Sequence, residues 1–300
     1  MFHVPSFFFI SFFFLFPIIK GKNIKKMALR LKRLSIPYFY WPLIAWSLNN
    51  LFCLLYGKSI FGYFISFKHL FKQFVIGRIF FWQFWFLFNL LFLTILFFIL
   101  SLILKMNYFL VVLQLFTIIS YILQYSKYNY FFFDNYKIGI SHSLGHLVES
   151  FPIAVTAFIL SLSGFMNIFT LYRKVTIIYC IIINFFIYKY NIFKTIEYYG
   201  HKYHYNGFDK NIFSILSFII FYLIRFENIK SNQLKIIINI ITSYTQGIYC
   251  LHVFIFIYAT QFLHLKGSFK DCIIIYLISY LTSFIGAKIC KKNKLKFLFI

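Results

Sequence analysis

The chain has 300 residues, of which 62% are hydrophobic, and it carries 30 basic but only six acidic side chains. Soluble domains ordinarily contain about 25% charged residues, so the 12% found here excludes an ordinary soluble protein. A net charge of +24 would suggest nucleic acid in a soluble protein, but these basic residues lie between apolar runs. We therefore predict an all-α, polytopic integral membrane protein that meets anionic lipid headgroups and has no nucleic-acid partner.

The apolar runs predict the membrane spans directly. A helix needs about 20 apolar residues to cross the hydrocarbon core, and on that basis we predict a helical bundle of about nine transmembrane helices. The predicted spans are residues 4–19, 35–56, 83–104, 108–124, 148–168, 175–189, 211–225, 237–263 and 272–289. Neither a repeat of fixed period nor a Gly/Ser linker interrupts them, so residues 1–300 are predicted to form a single membrane domain.

The basic residues predict the orientation of these spans. The first apolar run ends abruptly at a basic cluster between Lys20 and Arg33. Because Lys and Arg accumulate on cytoplasmic loops near helix ends, residues 20–33 are predicted inside and the start of the chain outside. Loops 57–82, 125–147 and 189–210 then lie outside. Their aromatic side chains suit either the membrane interface or a sugar-binding rim.

Cysteine and histidine spacings predict neither a disulfide framework nor a metal site. The five cysteines are widely spaced and contain no CxxC pair, so we interpret them as apolar core residues. His142 and His146 are four residues apart, and His201 and His204 are three apart. Neither pair has the acidic or cysteine partner pattern of a zinc site.

Three ionisable residues near or within the spans are candidates for chemistry. His3 lies at the outer mouth of the first span, where an imidazole can take and return a proton near neutral pH. The alternative for His3 is a frayed terminus. Glu149 is interpreted as a solvated residue at the outer edge of its span. His252 is interpreted as a structural residue that hydrogen-bonds a neighbouring helix.

Arg30 and Arg33 form a candidate phosphate site. Guanidinium groups three residues apart share one helix face and bind phosphate oxygens in a bidentate manner. The alternative is a cytoplasmic anchor to lipid phosphates. The sequence contains no phosphate-binding GxxxxGK[ST] loop, GxSxG elbow, HExxH motif or dinucleotide fingerprint, which argues against hydride transfer and ATP-driven transport.

Four segments together resemble one family. Residues 2–11 (FHVPSFFFIS) are similar to a family helix that reads FHMPLFFFISG, and Arg30-x-x-Arg33 with residues 36–38 (IPY) is similar to the basic RxxR and I/L-P-Y start of the next span. Residues 84–90 resemble a W-F-L-x-x-L span, and residues 247–252 (GIYCLH) resemble a G-I-Y-L-x-H segment. The chain is thereby identified as a member of the acyltransferase 3 family of integral membrane O-acyltransferases.

The resemblance implies a reaction and its location. An acetyl or other acyl group would pass from cytoplasmic acetyl-CoA to a hydroxyl of a surface-polysaccharide or lipid-linked sugar, in the bacterial inner membrane. Arg30 and Arg33 would contact the CoA phosphates, and His3 would assist near the acceptor.

The resemblance also implies two departures from the family. The family's first span, with its essential His, would precede residue 1, so this N-terminally truncated chain is expected to be nearly inactive. Phe12 stands where the family has Gly, and its ring would narrow the donor channel.

Two other interpretations remain open. One is a non-acylating polysaccharide polymerase or flippase, which would share the many spans and the aromatic outer loops. The other is a longer protein whose start lies upstream.

Overall fold

A computed structural model describes residues 3–57, 66–76, 84–125, 139–162, 165–197, 208–224 and 269–289, with the isolated residues 233 and 255. Every regular element within these ranges is an α-helix. The helices are α1 (His3–Lys20), α2 (Ile24–Tyr56), α3 (Phe67–Ile76), α4 (Phe84–Ile103), α5 (Met106–Tyr125), α6 (Gly139–Leu162), α7 (Phe165–Leu171), α8 (Arg173–Glu197), α9 (Phe208–Ile224) and α10 (Phe269–Ile289).

The chain divides into two compact units. The first contains Met1–Leu29 and Asn89–Asn228, and the second contains Arg30–Phe88 and Ile229–Ile300. The first unit therefore holds α1, most of α4, and α5 to α9. The second holds most of α2, together with α3, α10 and the start of α4.

A tight turn joins α1 to α2 and carries part of the basic cluster. Lys22 has a left-handed backbone with φ +45°, and its N–H donates to the Ile19 carbonyl at 2.9 Å while the Asn23 N–H donates to the Ile18 carbonyl at 3.1 Å. This pair of bonds is the Schellman arrangement that closes a helix C-terminus. The Asn23 side chain then accepts the Lys26 N–H at 3.0 Å and caps α2. Three residues therefore separate the end of α1 at Lys20 from the beginning of α2 at Ile24.

Phe158 of α6 lies at the centre of an aromatic core in the first unit. Its ring is fully buried and contacts rings from three other helices. The ring centroids lie 6.1 Å from Phe12 and 5.5 Å from Phe16 in α1, 5.1 Å from Phe97 in α4, and 6.3 Å from Phe109 in α5. Because lipid tails are as apolar as these rings, close packing rather than escape from water holds such helices together in a membrane.

Contacts between α4 and α6 show that these two helices run in the same direction. Asn89 reaches Ser150, and Phe97, eight residues further along α4, contacts Phe158, eight residues further along α6. A parallel pair requires this constant offset.

The helix between them in sequence runs the opposite way. Phe109 of α5 contacts Phe158, whereas Phe116, further along α5, contacts Phe151, which comes earlier in α6. The directions of α4, α5 and α6 thus alternate, as consecutive membrane spans would.

Helices α8 and α9 pack against each other through polar and apolar contacts. Arg173 at the start of α8 donates to the Ile224 carbonyl at the end of α9, and Asn184 donates to the Ser217 hydroxyl at 3.2 Å. Cys180 is buried in the apolar cluster between these two bonds, which confirms that this cysteine is a core residue.

The second unit contains a helix that the sequence reading missed. Residues 57–82 were expected to form a loop, but α3 occupies Phe67–Ile76. It packs on α2 through a hydrogen bond of 2.6 Å from the Tyr38 hydroxyl to the Phe74 carbonyl and through the rings of Trp46 and Phe67. With ten residues, α3 is too short for the apolar-length criterion to identify it as a membrane span. Its Leu70 is buried, whereas the neighbouring Lys68 and Phe71 are exposed.

Most described helices overlap the predicted spans, with shifted boundaries. Helix α6 ends at Leu162 and begins at Gly139, nine residues before the predicted 148–168 span. Within the described ranges two helical segments, Trp85–Ile103 and Met106–Leu123, are long and apolar enough to cross a membrane, and the shorter apolar segments are Ser6–Lys20, His146–Leu162, Asn211–Ile224 and Ile273–Ile289. Apart from residue 255, the predicted span 237–263 lies outside the described residues, so the total of nine spans stays a prediction.

The predicted orientation has a direct test. On a cysteine-free background, a cysteine introduced at position 25 should escape a membrane-impermeant maleimide in intact cells, because the basic cluster favours the cytoplasmic side. A cysteine at position 205, outside the described residues, should be labelled. The opposite labelling pattern would show that the bundle is inverted.

Candidate functional site

A buried, hydrogen-bonded couple of His146 and Glu149 lies in the third turn of α6. The Nδ1 atom of His146 lies 3.1 Å from Oε2 of Glu149, and the two residues are 6% and 2% exposed. Their spacing of three residues places both side chains on one face of the helix. A carboxylate is rarely buried without a partner, and here an imidazole provides one.

A hydrogen-bonded chain connects this couple to α4. The Ser150 hydroxyl donates to the His146 carbonyl at 2.6 Å, and Asn89 Nδ2 donates to the Ser150 oxygen at 3.4 Å. Asn89 and Ser150 are fully buried. Among the residues that the structure describes, none donates a hydrogen bond to Asn89 Oδ1, so this carbonyl oxygen is a buried acceptor with unused capacity beside the couple.

Pro152 interrupts the hydrogen-bond ladder of α6 immediately after the couple. It lies inside the helix, and because proline has no N–H it cannot donate the helical bond to the Val148 carbonyl. The Pro152 carbonyl accepts a hydrogen bond of 2.8 Å from the Thr156 hydroxyl. The turns that carry His146 and Glu149 are thus joined to the rest of α6 by a weakened ladder.

A second buried amide lies in the first turn of α9. Asn211 is 3% exposed, and within the described part of the chain neither its Oδ1 nor its Nδ2 atom has a hydrogen-bond partner. An unsatisfied buried amide costs about 1–3 kcal/mol. A polar ligand or bound water would remove that cost.

The two predicted phosphate ligands differ in environment. Arg30 and Arg33 lie one turn apart near the start of α2, where Arg30 is half-buried and Arg33 is exposed. Burial lowers the pKa of the Arg30 guanidinium to about 10, which leaves it positively charged at neutral pH. Both residues can therefore offer a cation to phosphate, Arg33 directly from solvent and Arg30 from a partly enclosed position.

The two predicted histidines are described only in part or not at all. His3 is the first residue of α1, and its side chain lies outside the described structure. His252 lies outside the described residues altogether. The catalytic role of His3 and the structural role of His252 stay predictions.

The structure corrects the interpretation of Glu149 and His146. Glu149 was expected at a solvated edge, and His146 was considered to lack an acidic partner, but the two residues are buried against each other. The error arose because the span was started at residue 148, which left His146 in a loop. Extending the helix by one further turn would have brought the two residues into i, i+3 register.

The outer surface of the helices defines the class of protein. Between residues 175 and 186, helix α8 exposes large apolar side chains, including Val175, Ile178, Ile182, Phe185 and Phe186. Soluble proteins rarely expose contiguous apolar patches of this kind. Together with the two long apolar helices, this surface indicates a helical membrane protein, and its first unit contains the buried His146–Glu149 couple.

Comparison with protein families gives the particular family. The sequence model of a family described as an acyltransferase domain, acyltransferase 3, matches residues 1–290. The chain therefore belongs to the acyltransferase 3 family, which is a membrane family. Comparisons with curated proteins and with solved structures find no match.

Proposed function

We propose that this protein transfers an acetyl group from cytoplasmic acetyl-CoA to a hydroxyl of a surface-polysaccharide or lipid-linked sugar, in the inner membrane of a bacterium. The observation that supports this most strongly is the family match, which extends over residues 1–290. In the reaction the hydroxyl oxygen bonds to the thioester carbonyl carbon, the carbon–sulfur bond breaks, and the hydroxyl proton ends on the CoA thiol.

Arg30 and Arg33 would hold the donor. CoA carries several phosphate oxygens, and charged guanidinium groups bind such oxygens with short, directional hydrogen bonds. The two arginines follow a basic segment of the chain that contains Lys20, Lys22, Lys25 and Lys26. This basic surface would raise the local concentration of an anionic donor, and the exposed Arg33 would contact it first.

The acceptor would be bound at the opposite end of the helices. In the predicted topology α1 crosses the membrane in the same direction as α4 and α6, so its first turn, which begins at His3, lies at the depth of the first turns of those helices. Two buried amides, Asn89 and Asn211, lie near the starts of α4 and α9. Sugars carry many hydroxyl groups, which can satisfy buried amides of this kind.

A transfer assay tests the proposal. The protein, produced with any span encoded upstream of residue 1 and reconstituted in lipid nanodiscs, should move label from radioactive acetyl-CoA to lipid-linked glycans extracted from the source cell. The same preparation should not incorporate label from a radioactive nucleotide sugar, which separates acetyl transfer from polymerisation. A chain that neither binds acetyl-CoA nor yields labelled glycan would overturn the proposed function.

A further inference from the structure

Helix α5 carries an exposed amide halfway along its apolar length. The segment Met106–Leu123 is long and apolar enough to cross a membrane, and the Gln114 side chain is exposed within it. At 1.5 Å per residue, Gln114 lies about 12 Å from the start of this segment and about 13.5 Å from its end. When the segment crosses a bilayer, the amide therefore lies near the middle of a hydrocarbon core that is about 30 Å thick.

An amide at this depth requires a hydrogen-bond partner. The hydrocarbon core contains no water that could bond an exposed polar group, so leaving the group unsatisfied there is costly. The Asn184 amide of α8 donates to the Ser217 hydroxyl of α9, but within the described part of the chain no hydrogen bond to the Gln114 side chain is found. Because glutamine side chains in membrane helices bond to neighbouring helices, the exposure of Gln114 indicates a helix that lies outside the described structure.

Gln114 belongs to a stripe of exposed residues with the spacing of a coiled coil. The stripe, called the Gln114 stripe below, consists of exposed residues separated by four, three and four positions: Asn107, Val111, Gln114 and Ile118. This alternation is the 3.5-residue period of helices that pack side by side. The opposite face of α5 carries the buried Phe109 and Leu113, and Phe109 contacts Phe158 of α6. Helix α5 thus packs in its own bundle through one face and exposes the Gln114 stripe on the other.

We propose that the Gln114 stripe is the interface of a homodimer, in which α5 packs in parallel against α5 of a second copy. Two copies inserted in the same direction are related by a two-fold axis along the membrane normal, so each residue lies at the same depth as its counterpart. The Nε2 group of each Gln114 then donates to the Oε1 atom of the other, because a primary amide carries both a donor and an acceptor. The spacing of the stripe suits the left-handed crossing of about 20° that is common between membrane helices.

The chemistry of the stripe favours a second copy over other occupants. Lipid tails offer neither a donor nor an acceptor to Gln114. The Gln114 stripe contains no charged residue, so it has no charge with which to select an acidic or basic partner helix. A second copy supplies a matching amide at the required depth. A span encoded upstream of residue 1 is the competing occupant, and the experiments below separate it from a second copy.

Cysteine crosslinking in membranes tests the interface. On a cysteine-free background of the full-length protein, with any span encoded upstream of residue 1, Ile118→Cys should form a disulfide-linked dimer when copper phenanthroline is added as the oxidant. Ile119→Cys is the matched control. Ile118 and Ile119 are 56% and 49% exposed and lie at nearly the same depth, but successive residues point about 100° apart around a helix. The control should therefore yield little crosslinked dimer.

Substitution of Gln114 tests the role of the amide. Gln114→Leu replaces the amide by an apolar side chain of similar size, and it should raise the dissociation constant of the dimer about tenfold, the scale of hydrogen bonds between membrane helices. Gln114→Asn, which keeps an amide, should retain part of the affinity. The dissociation constant would be measured in liposomes by single-molecule photobleaching at decreasing protein-to-lipid ratio, and the thermal midpoint would show whether each variant is folded.

Each contrary result would overturn the dimer. These results are a protein that stays monomeric at every protein-to-lipid ratio, equal crosslinking of Ile118→Cys and Ile119→Cys, and an unchanged dissociation constant for Gln114→Leu. Crosslinking of Ile118→Cys to a cysteine placed in an upstream span, without any dimer, would assign the Gln114 stripe to that span. If Gln114→Leu fails to fold, the comparison of Ile118→Cys with Ile119→Cys decides, because both keep the amide.

Discussion

Replacing Arg30 and Arg33 together by glutamine should weaken acetyl-CoA binding by about 10²–10⁴-fold. Hydrogen bonds to charged groups contribute about 1.5–3 kcal/mol each, and each 1.4 kcal/mol changes a dissociation constant about tenfold. The dissociation constant would be measured by titration calorimetry on the full chain in nanodiscs of zwitterionic lipid. Such lipid offers no anionic headgroups that compete for the arginines.

The matched control removes the same charge from the same helix. Lys25 and Lys26 are exposed in the first turn of α2, and replacing both by glutamine lowers the net charge equally. This control should weaken binding less than tenfold, because it alters only the long-range field. If the two double variants lose affinity equally, Arg30 and Arg33 do not contact the donor, and their role is that of a lipid anchor.

Replacing Phe158 by alanine should destabilise the protein by about 3–5 kcal/mol, the range for truncating a buried aromatic residue. The ring contacts four other phenylalanines from α1, α4 and α5. Its loss leaves a cavity that these rings fill only in part. In a membrane this destabilisation comes from lost packing contacts rather than from exposure of apolar surface to water.

Phe186→Ala serves as the control for this substitution. Phe186 lies on α8 and is 65% exposed. The Phe186→Ala substitution therefore removes the same kind of ring from an exposed position. The thermal midpoint of the full chain in nanodiscs should fall by several degrees for Phe158→Ala and by much less for Phe186→Ala. Similar falls for the two variants would show that the aromatic core does not hold the first unit together.

The sequence predicted the helices best where an apolar run ends at a charge. The run that ends at Lys20 gave the boundary of α1 directly, and the run before Lys105 gave that of α4. It failed where a helix begins in polar residues. Helix α6 starts at Gly139, and its first turns contain His142 and His146, so a hydropathy criterion placed the start too late.

The candidate site was only partly accessible from sequence for the same reason. Arg30 and Arg33 could be proposed from the sequence because two cations at helical spacing can bind phosphate oxygens, and their role stays a prediction. His146 and Glu149 can be recognised as a couple only when both are placed on one helix. Asn89 can be assigned to the same site only when α4 is known to pack beside α6. The packing partner is not encoded in a local pattern, since Asn89 and Ser150 are 61 residues apart in sequence.

Pro152 makes the position of His146 sensitive to bending at a single point. Because residue 152 cannot donate the helical bond to the Val148 carbonyl, a bend of α6 costs less here than elsewhere along the helix. His146 precedes Pro152 by six residues, a lever arm of about 9 Å, so a tilt of roughly 10° would displace it by about 1.5 Å. A bend of α6 at Pro152 would therefore move His146 and Glu149 together and strain the hydrogen bond between Asn89 and Ser150.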